Sequence, residues 1–518
     1  FCKVDMLLYS FILILFLLTL CFGANILIMS TVPSLSHSIW NQRLAKLIAD
    51  RNHQVTVLDS FPSKIFHPNI THHELGIAFD FQKFDMKKYS LQSSPWFHID
   101  LTFYLVHKSC EQQLTSPMAK KFLDAYKDKN KPFDLIIWDA ACCESFLGFL
   151  VKFGSPPLVS ATPAISSLQL MNYAGNYDNP SYVPLSFSLF TSHMNFWERV
   201  ENTLLYLYQI KTFYFSHIPN ENQLAKRIFG SETPNVEELA KRSLVTLVGS
   251  HPVIEGVKPL LPSTVSIAGF QIDKPKPLEK ELQSFLDSAT DGAIYFSFGT
   301  NLLCEYLEQE ELDIFIRVFK EIKQKVLWKC GMDIPNLPKN VRLGKWFNQS
   351  DVLAHPNVKV FISHSGLLGT QEALYHGVPV LAFSFIIDQH FIAQKLEKMG
   401  LGIHLIYADL TVSTLKNALQ RLLTEPSFQV AMKERSAIFR DTPIPPRDLA
   451  IYWIEHALRH PRTNLLRSPV QNMSFYHVLL LDVIAFFVVI IAAVITLLVL
   501  LAKCSLKLFC KRSKLKSH

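Results

Sequence analysis

The sequence predicts an α/β protein with two halves built on the same plan, followed by one helix that spans a membrane. In both halves of the 518-residue chain, short apolar strand patterns alternate with helical patterns, which is typical of parallel sheets. A proline-rich segment separates the halves and predicts a linker near residues 271–278. Residues 478–502 are apolar or weakly polar apart from Asp482 and are long enough to cross a bilayer. We therefore expect two sheet domains with a cleft between them, where ligands usually bind.

The first half begins with a strand, a helix and a second strand, which starts a parallel layer. Strands are predicted at residues 25–30, 55–58, 135–138 and 244–249, and helices at residues 38–50 and 143–153.

Two aromatic-rich stretches of the first half have less regular patterns. Residues 70–118 show weak periodicity, which is consistent with loops and helices that line an apolar pocket or with an irregular core. Residues 187–215 are amphipathic, and we expect them to lie against a membrane surface, to cover the pocket, or to pack as an ordinary helix.

The second half repeats the pattern and contains the most informative stretch of the chain, residues 358–389. There a strand is followed by Ser-His-Ser-Gly, by a helix over residues 367–375 and by a second apolar strand. A helix entered in this way presents unpaired N–H groups above the strand, so the stretch predicts a phosphate site. The other predicted strands are residues 293–298, 326–329 and 341–346, and the other helices are residues 308–325 and 447–460.

The two ends of the chain predict a membrane protein with a lumenal body. Residues 1–23 have the pattern of a signal peptide, with an apolar run over residues 6–22. The tail, residues 503–518, is rich in Lys and Arg, which places it on the cytoplasmic side of a type I membrane protein. Lys514 and Lys516 form an ending that resembles a dilysine signal for retrieval to the endoplasmic reticulum. The predicted domains are residues 24–270 and 279–460.

Charge and cysteine content exclude several classes of protein. Much of the net charge of +7 lies in the basic tail, so the lumenal body is close to neutral and nucleic acid is not an expected partner. Five cysteines fall in the lumenal body without a C-x-x-C pair, so a disulfide framework or a zinc site is not expected, although one disulfide is compatible with the sequence. Asn69 and Asn472 lie in glycosylation sequons, and Asn348 is a third formal match.

Two side chains at predicted strand ends of the first half could form a catalytic pair. His37 follows the first strand and Asp139 follows the strand LIIWD, so both lie at carboxyl ends of strands. A buried aspartate that holds one imidazole nitrogen leaves the other nitrogen as a general base. Alternatively, His37 lies near a helix start without a role and Asp139 caps a helix.

The second half offers a group of candidate ligand-binding residues. Trp346 could stack on a base or belong to the core, and Glu372 could bind ribose hydroxyls or be a solvated helical residue. His364 could contact a diphosphate or be an ordinary loop histidine, and Asp388 and Gln389 could hold a sugar or cap a helix. The turn Ser297-Phe298-Gly299-Thr300 could face phosphate or simply end its strand.

The spacing of these residues resembles one family. The segment VRLGKWFNQSDVLAHPNVKVFISHSGLLGTQEALYHGVPV, with the later Asp388-Gln389, looks like the signature of the UDP-glycosyltransferases, and the resemblance covers essentially the whole chain. It implies two facing Rossmann-like domains of the GT-B type. The first domain would bind a small lipophilic acceptor and the second a UDP-sugar, which is a co-substrate, and no cofactor or metal ion is implied. No D-x-D pair occurs in the sequence. Association with membrane is implied, and a homo-oligomer is left open.

The resemblance also implies a role for each matched residue. Trp346 would stack on uracil with help from Gln349, and Glu372 would take the ribose hydroxyls. His364, Gly366 and Thr300 would face the diphosphate, in the loop that includes Ser297 and Gly299. Asp388 and Gln389 would bind the hexose, while His37 would be the catalytic base and Asp139 its partner.

Several positions depart from the pattern of the family. Ser365 replaces a Gly, Gly369 replaces a Ser that would donate to phosphate, and Ile392 replaces an Asn directed at the phosphates. A Pro is usual at Asn348 and Ser384, and a Gly at Ala382 and Ile387. One lost hydrogen bond costs about 0.5–1.5 kcal/mol, so we expect weaker donor binding without loss of function.

Three hypotheses follow from the sequence. The first is an inverting enzyme that transfers glucose or glucuronic acid from a UDP-sugar to a hydroxyl of a lipophilic acceptor. UDP-glucose is the expected donor, because the sequence shows no evident cation for a glucuronate carboxylate. The second is a catalytically impaired protein that binds a UDP-sugar or a lipophile, and the third is a structural membrane protein.

Overall fold

The computed structural model describes residues 23–76, 94–300, 302–385, 388–463 and 465–515. The predicted apolar run of the signal peptide and Ile387 lie outside these residues. The chain divides into two units, of which the first ends at Leu466 and the second begins at Arg467. Both sheets belong to the first unit. Residues 272–279 contain neither helix nor strand, and the division at that point into two domains stays a prediction.

The first sheet has seven parallel strands in the order β3-β2-β1-β4-β5-β6-β7. Its inner strands are apolar and almost completely buried, as is usual for parallel sheets covered on both faces. The strands are β1 (Asn25–Met29), β2 (Gln54–Asp59), β3 (Ile70–Glu74), β4 (Leu135–Asp139), β5 (Leu158–Thr162), β6 (Ser243–Val248) and β7 (Thr264–Ser266). The α-helices of this part are α1 (Leu35–Ala49), α2 (Pro95–Leu114), α3 (Pro117–Ala125), α4 (Gly148–Lys152), α5 (Leu168–Ala174), α6 (Phe196–Thr212), α7 (Ile218–Phe229), α8 (Val236–Ala240) and α9 (Pro252–Glu255).

The second sheet has six parallel strands in the order β10-β9-β8-β11-β12-β13. Counted from its own first strand, this is the order 3-2-1-4-5-6 of doubly wound nucleotide-binding sheets. The strands are β8 (Ala293–Ser297), β9 (Lys325–Lys329), β10 (Val341–Gly344), β11 (Val358–Ser363), β12 (Val380–Ser384) and β13 (Gly402–Ile406). The α-helices are α10 (Lys280–Asp287), α11 (Gln309–Glu321), α12 (Gln349–Leu353), α13 (Leu367–His376), α14 (Gln389–Lys398), α15 (Val412–Thr424), α16 (Pro426–Arg440) and α17 (Pro446–Arg459).

The described parts of the two aromatic-rich stretches contain strand β3 and helices α2 and α6, and residues 77–93 lie outside the described part of the chain. Helix α6 packs on α2. One side of α6 is buried with Leu205 and Tyr206, whereas Phe196 and Trp197 are 60% and 74% exposed. A π-helix, Phe213–His217, connects α6 to α7. The helix therefore packs against the core on one side, and a contact of its exposed side with a membrane stays a prediction.

Two disulfides, Cys110–Cys143 and Cys304–Cys330, correct the expectation of at most one. Cys304 follows β8 and Cys330 follows β9, and these strands are neighbours in the parallel sheet, so their carboxyl ends meet. Cys110 lies on α2, which the sequence did not predict. The pairings depend on the fold and cannot be recovered from sequence spacing.

The second unit contains the apolar helix expected near the C-terminus. This unit contains a 3-10 helix, Pro469–Asn472, the short helix α18 (Phe475–Val478) and the long helix α19 (Leu481–Leu515). Within α19 the stretch Leu481–Leu508 is long and apolar enough to cross a membrane. The helix begins three residues later than the predicted span, after Leu480, whose backbone φ is +52°.

Candidate active site

The candidate residues lie where the strand order of each sheet reverses direction. In the first sheet β1 lies between β2 and β4, and in the second β8 lies between β9 and β11. His37 lies on the helix after β1 and Asp139 ends β4, while the Gly299 turn follows β8 and His364 follows β11. Ligands of open α/β sheets bind at these crevices, outside the carboxyl ends of the strands.

His37 and Asp139 form the predicted pair. His37 Nδ1 lies 3.2 Å from Asp139 Oδ2, and the Asp139 side chain is completely buried while that of His37 is 17% exposed. A carboxylate in this position holds the Nδ1–H tautomer and leaves Nε2 as the basic nitrogen. The structure thus favours the paired arrangement over two unrelated residues.

Two hydrogen bonds from Asn41 and Thr31, which were not predicted from the sequence, hold Asp139 in place. Asn41 Nδ2 donates to Asp139 Oδ2 at 2.9 Å, and Thr31 Oγ1 donates to the Asp139 carbonyl at 2.8 Å. Asn41 lies four residues after His37 on α1, so both side chains are on the same face of the helix. The four-residue spacing from His37 could have identified Asn41 as a neighbour of the pair.

The His364 ring fills the space that two glycines leave open. A Cβ on Gly299 would lie 2.4 Å from His364 Cε1, and one on Gly366 would lie 2.5 Å from His364 Nε2. Gly299 has a φ of +85°, and its N–H donates to Ser297 Oγ at 3.2 Å. Ser297 is buried and stabilises this turn, whereas Thr300 is half-buried at its end. Burial, with a smaller effect from Lys329, lowers the pKa of His364 to about 4, so the ring is neutral at physiological pH.

Trp346, Gln349 and Glu372 form a group beside this loop. The Trp346 side chain is 50% exposed, which argues against a core role. Gln349 Nε2 donates to Glu372 Oε2 at 2.5 Å, so α12 and α13 bring these two predicted residues together. Burial raises the pKa of Glu372 to about 7, although the Gln349 bond and Arg43 oppose the shift.

Asp388 and Gln389 lie at the start of α14, after β12. Burial raises the pKa of Asp388 to about 6, while its backbone contacts and the charge of His37 act in the opposite direction. This electrostatic influence of His37 indicates that the predicted sugar-binding residue lies near the predicted base. Gln389 Oε1 accepts the Phe385 N–H at 3.0 Å.

An open cavity borders the first residues of α14. Its wall combines apolar side chains, including Leu168, Val183 and Phe391, with the charged residues Glu255 and Lys258. The Glu255 charge also affects Asp388 by raising its pKa. The cavity therefore adjoins the region of Asp388 and His37.

A family model described as UDP-glucoronosyl and UDP-glucosyl transferase matches residues 26–517 of this sequence. The chain belongs to this family. UDP-glycosyltransferase UGT5 of Dactylopius coccus is 32% identical over 514 residues, 98% of this chain and 96% of the relative. UDP-glucuronosyltransferase 2B7 of Homo sapiens is 28% identical over 526 residues, 97% of both chains.

Solved structures of low sequence identity show the same fold. The glycosyltransferase VinC, in complex with dTDP, has a TM-score of 0.55 and 16% identity, covering 84% of this chain and 100% of its own. The glycotransferase of kitacinnamycin has a TM-score of 0.54 and 16% identity, with 84% and 99% covered. The predicted family, GT-B fold and enzyme class are confirmed, and this UDP-glycosyltransferase transfers a hexose from a UDP-sugar.

The departures from the family pattern have different structural consequences in this UDP-glycosyltransferase. Ile392 is completely buried in the apolar core beneath the second sheet, so its side chain packs and does not face a ligand. At Gly369 an added Cβ would lie 3.2 Å from Gln349 Nε2, a close approach to a side chain that can move. Ile387 lies outside the described residues.

Ser365 has a backbone conformation that explains the family's glycine at this position. Its φ is +62°, in the left-handed region, and its Oγ is buried without a hydrogen-bond partner among the described residues. A side chain in this region costs about 1–2 kcal/mol, part of which glycine avoids.

Replacing Ser365 with glycine is expected to stabilise the UDP-glycosyltransferase by about 0.5–1 kcal/mol, because backbone strain and a buried unpaired hydroxyl both disappear. The midpoint of thermal unfolding of the full-length protein in detergent should rise by roughly 1–2 °C. Ser363→Gly is the matched control, since Ser363 lies in β11 and its Oγ accepts the Ser365 N–H at 3.1 Å. That variant should unfold at a lower temperature. A lower midpoint for Ser365→Gly would contradict the account of strain.

Proposed function

We propose that this protein transfers a hexose, with inversion at the anomeric carbon, from a UDP-sugar to a hydroxyl of a small lipophilic acceptor. The observation that carries the proposal is the His37–Asp139 pair, with His37 close enough to Asp388 to influence its ionisation. The proposed base and the proposed sugar-binding carboxylate are thus in the same region.

The proposed donor site lies on the second sheet. Trp346 presents an exposed indole for the uracil, and Glu372, held by Gln349, accepts hydrogen bonds from the ribose hydroxyls. The loop of Gly299, Thr300 and Gly366 around His364 approaches the diphosphate, and the N-terminus of α13 adds a positive dipole. Asp388 and Gln389, at the start of α14, bind the hexose hydroxyls.

The reaction is a single displacement. The acceptor oxygen attacks the anomeric carbon, and its proton passes to His37 Nε2 while Asp139 stabilises the imidazolium. The bond from the anomeric carbon to the diphosphate oxygen breaks, and UDP leaves with the electron pair. Attack opposite to the leaving group inverts the anomeric configuration. The neutral His364 and the α13 dipole stabilise the charge on UDP without a cofactor.

The open cavity beside α14 is the proposed acceptor site. Its apolar wall suits a lipophilic body, and Glu255 with Lys258, whose charged atoms are 3.7 Å apart, offers polar contacts to substituents. The proposed membrane topology is single-pass type I, with α19 as the span, the two sheets in the lumen of the endoplasmic reticulum and the basic tail in the cytoplasm. Association with another copy of the chain stays a prediction.

A catalytically impaired binding protein is the second candidate, favoured by Gly369 and Ile392, which stand where the family pattern has polar side chains directed at the phosphates. Microsomes that contain the full-length protein should be incubated with radiolabelled UDP-glucose or UDP-glucuronic acid and a mixed pool of phenols and sterols. We expect labelled glycosides, with UDP-glucose the better donor. UDP binding without any product would instead support the second candidate.

Because the pKa of Glu372 is raised, we expect the affinity for a nucleoside to depend on pH. Because the carboxylate accepts ribose hydroxyls best when ionised, uridine affinity should increase about five- to tenfold between pH 6 and pH 8, as the ionised fraction rises through the pKa of about 7. Uridine is used because it carries no phosphate that titrates in this range. Glu372→Gln should bind uridine with the same affinity at both pH values. A pH-independent affinity of the unchanged protein would exclude ionised Glu372 from the ribose contact.

A further inference from the structure

Gln371 lies beside the proposed ribose-binding residue Glu372 on α13 and is completely buried. Its side-chain amide contacts segments of the first sheet, although α13 follows β11 of the second. Gln371 Nε2 donates to the backbone carbonyl of Gly249, which follows β6, and Gln371 Oε1 accepts the N–H of Gly269, beyond β7, at 3.1 Å. The same oxygen accepts from Gln271 Nε2 at 2.9 Å. One amide therefore joins α13 to the first sheet by three hydrogen bonds.

A second residue on the same face of α13 also contacts the first sheet. Leu368 lies three residues before Gln371, so the two side chains are neighbours on the helix surface. Leu368 packs against the buried apolar cluster that includes Ile28 of β1. Glu372 is turned by about 100° around the helix axis from Gln371 and bonds to Gln349 within the second half. Helix α13 thus presents one face to the first sheet and another to the proposed donor.

The helix that carries the proposed base reaches the same junction. Arg43 lies on α1, six residues after His37, and its guanidinium donates to the backbone carbonyl oxygen of Gln271. The side chain of Gln271 bonds in turn to Gln371. The helices that carry His37 and Glu372 are therefore joined through Gln271.

We propose that Gln371 is a positioning residue, which fixes α13 against the first sheet so that the anomeric carbon of the sugar faces the hydroxyl activated by His37. The inference rests on the proposed function. Gln271 lies directly before the connection between the two sheets, so a small displacement at this junction changes the orientation of one sheet relative to the other. A displacement of about 1 Å can lower a rate about 100-fold, because the reacting groups must be aligned. UDP binding does not need that alignment, since the proposed donor contacts lie on the second sheet.

The test separates turnover from donor binding in the full-length protein in detergent. Gln371→Met has a similar volume and makes none of the three hydrogen bonds. It should lower kcat about 10- to 100-fold with UDP-glucose and the acceptor of the mixed pool that the unchanged protein glycosylates fastest. Its UDP affinity, measured by isothermal titration calorimetry, should stay nearly the same. Gln271→Met removes one of the three bonds and should lower kcat by a smaller factor, and the double variant should be no slower than Gln371→Met, because the same contacts are lost.

Gln429→Met is the matched control. Gln429 Nε2 donates to the Gly377 carbonyl oxygen at 2.6 Å, at the C-terminal end of α13, and both residues belong to the second half. The same chemical change at this position should leave kcat nearly unchanged. Thermal unfolding gives the midpoint of each variant, and the rates are measured well below these midpoints, so that loss of folded protein does not contribute.

A parallel loss of kcat and UDP affinity in Gln371→Met would overturn the inference, because the residue would then act only through Glu372 or through stability. An unchanged kcat, or an equal loss of kcat in Gln429→Met, would also overturn it. If Gln371→Met does not fold, Gln271→Met decides: a lower kcat with normal UDP affinity supports the inference, and an unchanged kcat contradicts it. An unchanged protein that binds UDP and forms no glycoside would refute the proposed function itself, before any variant is compared.

Discussion

Replacing His37 with alanine is expected to lower kcat by about 10²- to 10⁴-fold, the usual contribution of a positioned general base. The Asp139 carboxylate, completely buried and 3.2 Å from His37 Nδ1, would lose the imidazole that it orients. UDP affinity should change little, because the proposed donor contacts lie on the second sheet. The measurement is the initial rate of glycoside formation at saturating UDP-sugar, together with UDP binding by calorimetry.

A second histidine–aspartate pair, at the other end of α1, provides the control. His67 Nε2 lies 3.5 Å from Asp50 Oδ1, and Asp50 is at the C-terminal end of α1, whereas His37 is at its N-terminal end. His67→Ala removes the same chemical group from a pair whose aspartate is 45% exposed and lies away from the carboxyl ends of the strands, and it should keep normal kcat. Equal rates for His37→Ala and the unchanged protein would exclude His37 as the base.

Replacing Gly299 with alanine is expected to weaken UDP binding by more than tenfold. The added Cβ would lie 2.4 Å from His364 Cε1, so the imidazole must leave its place in the diphosphate loop. The φ of +85° at Gly299 adds a backbone cost of about 1–2 kcal/mol for a residue with a side chain. Calorimetry with UDP and thermal unfolding of the full-length protein measure the two effects.

The variant Gly230→Ala separates the two effects expected of Gly299→Ala, which are backbone strain and the collision with His364. Gly230 has a φ of +108°, but an added Cβ would meet no atom within 4 Å. That variant should lose stability and retain UDP affinity, whereas Gly299→Ala should lose both. If the two variants bound UDP equally well, the His364 ring would not belong to the diphosphate site.

Most strands that lie inside the sheets could be predicted from the sequence, because they are continuous apolar runs; the inner strand β5, LVSAT, was missed because Ser and Thr interrupt its apolar pattern. β1, β4, β8 and β11 were recognised in this way, and they position His37, Asp139, the Gly299 turn and His364. The edge strand β3, ITHHE, was missed because it has one neighbour and a mixed polar pattern. Local sequence contains little information about such a strand, since its pairing with β2 decides its conformation.

The parts of the site that depend on long-range contacts could not be predicted. The predicted helix over residues 143–153 is divided into a 3-10 turn, Glu144–Leu147, and α4, after the disulfide-bonded Cys143 at a φ of +64°. Helix α2 was not recognised, since its apolar residues pack against several elements and follow no single stripe. Lys64 and Lys329 are ordinary lysines in the sequence, and only the approach of the two sheets brings them to Trp346.

The central claim is a single displacement in which His37 activates the acceptor hydroxyl opposite to the departing UDP. The anomeric configuration of the product tests it most directly. After incubation with UDP-glucose, whose glucose is α-linked, proton NMR of the isolated glycoside should show the large anomeric coupling of a β-glycoside. An α-glycoside as the first product would contradict the account, because retention requires a different mechanism from the one that the His37–Asp139 pair supports.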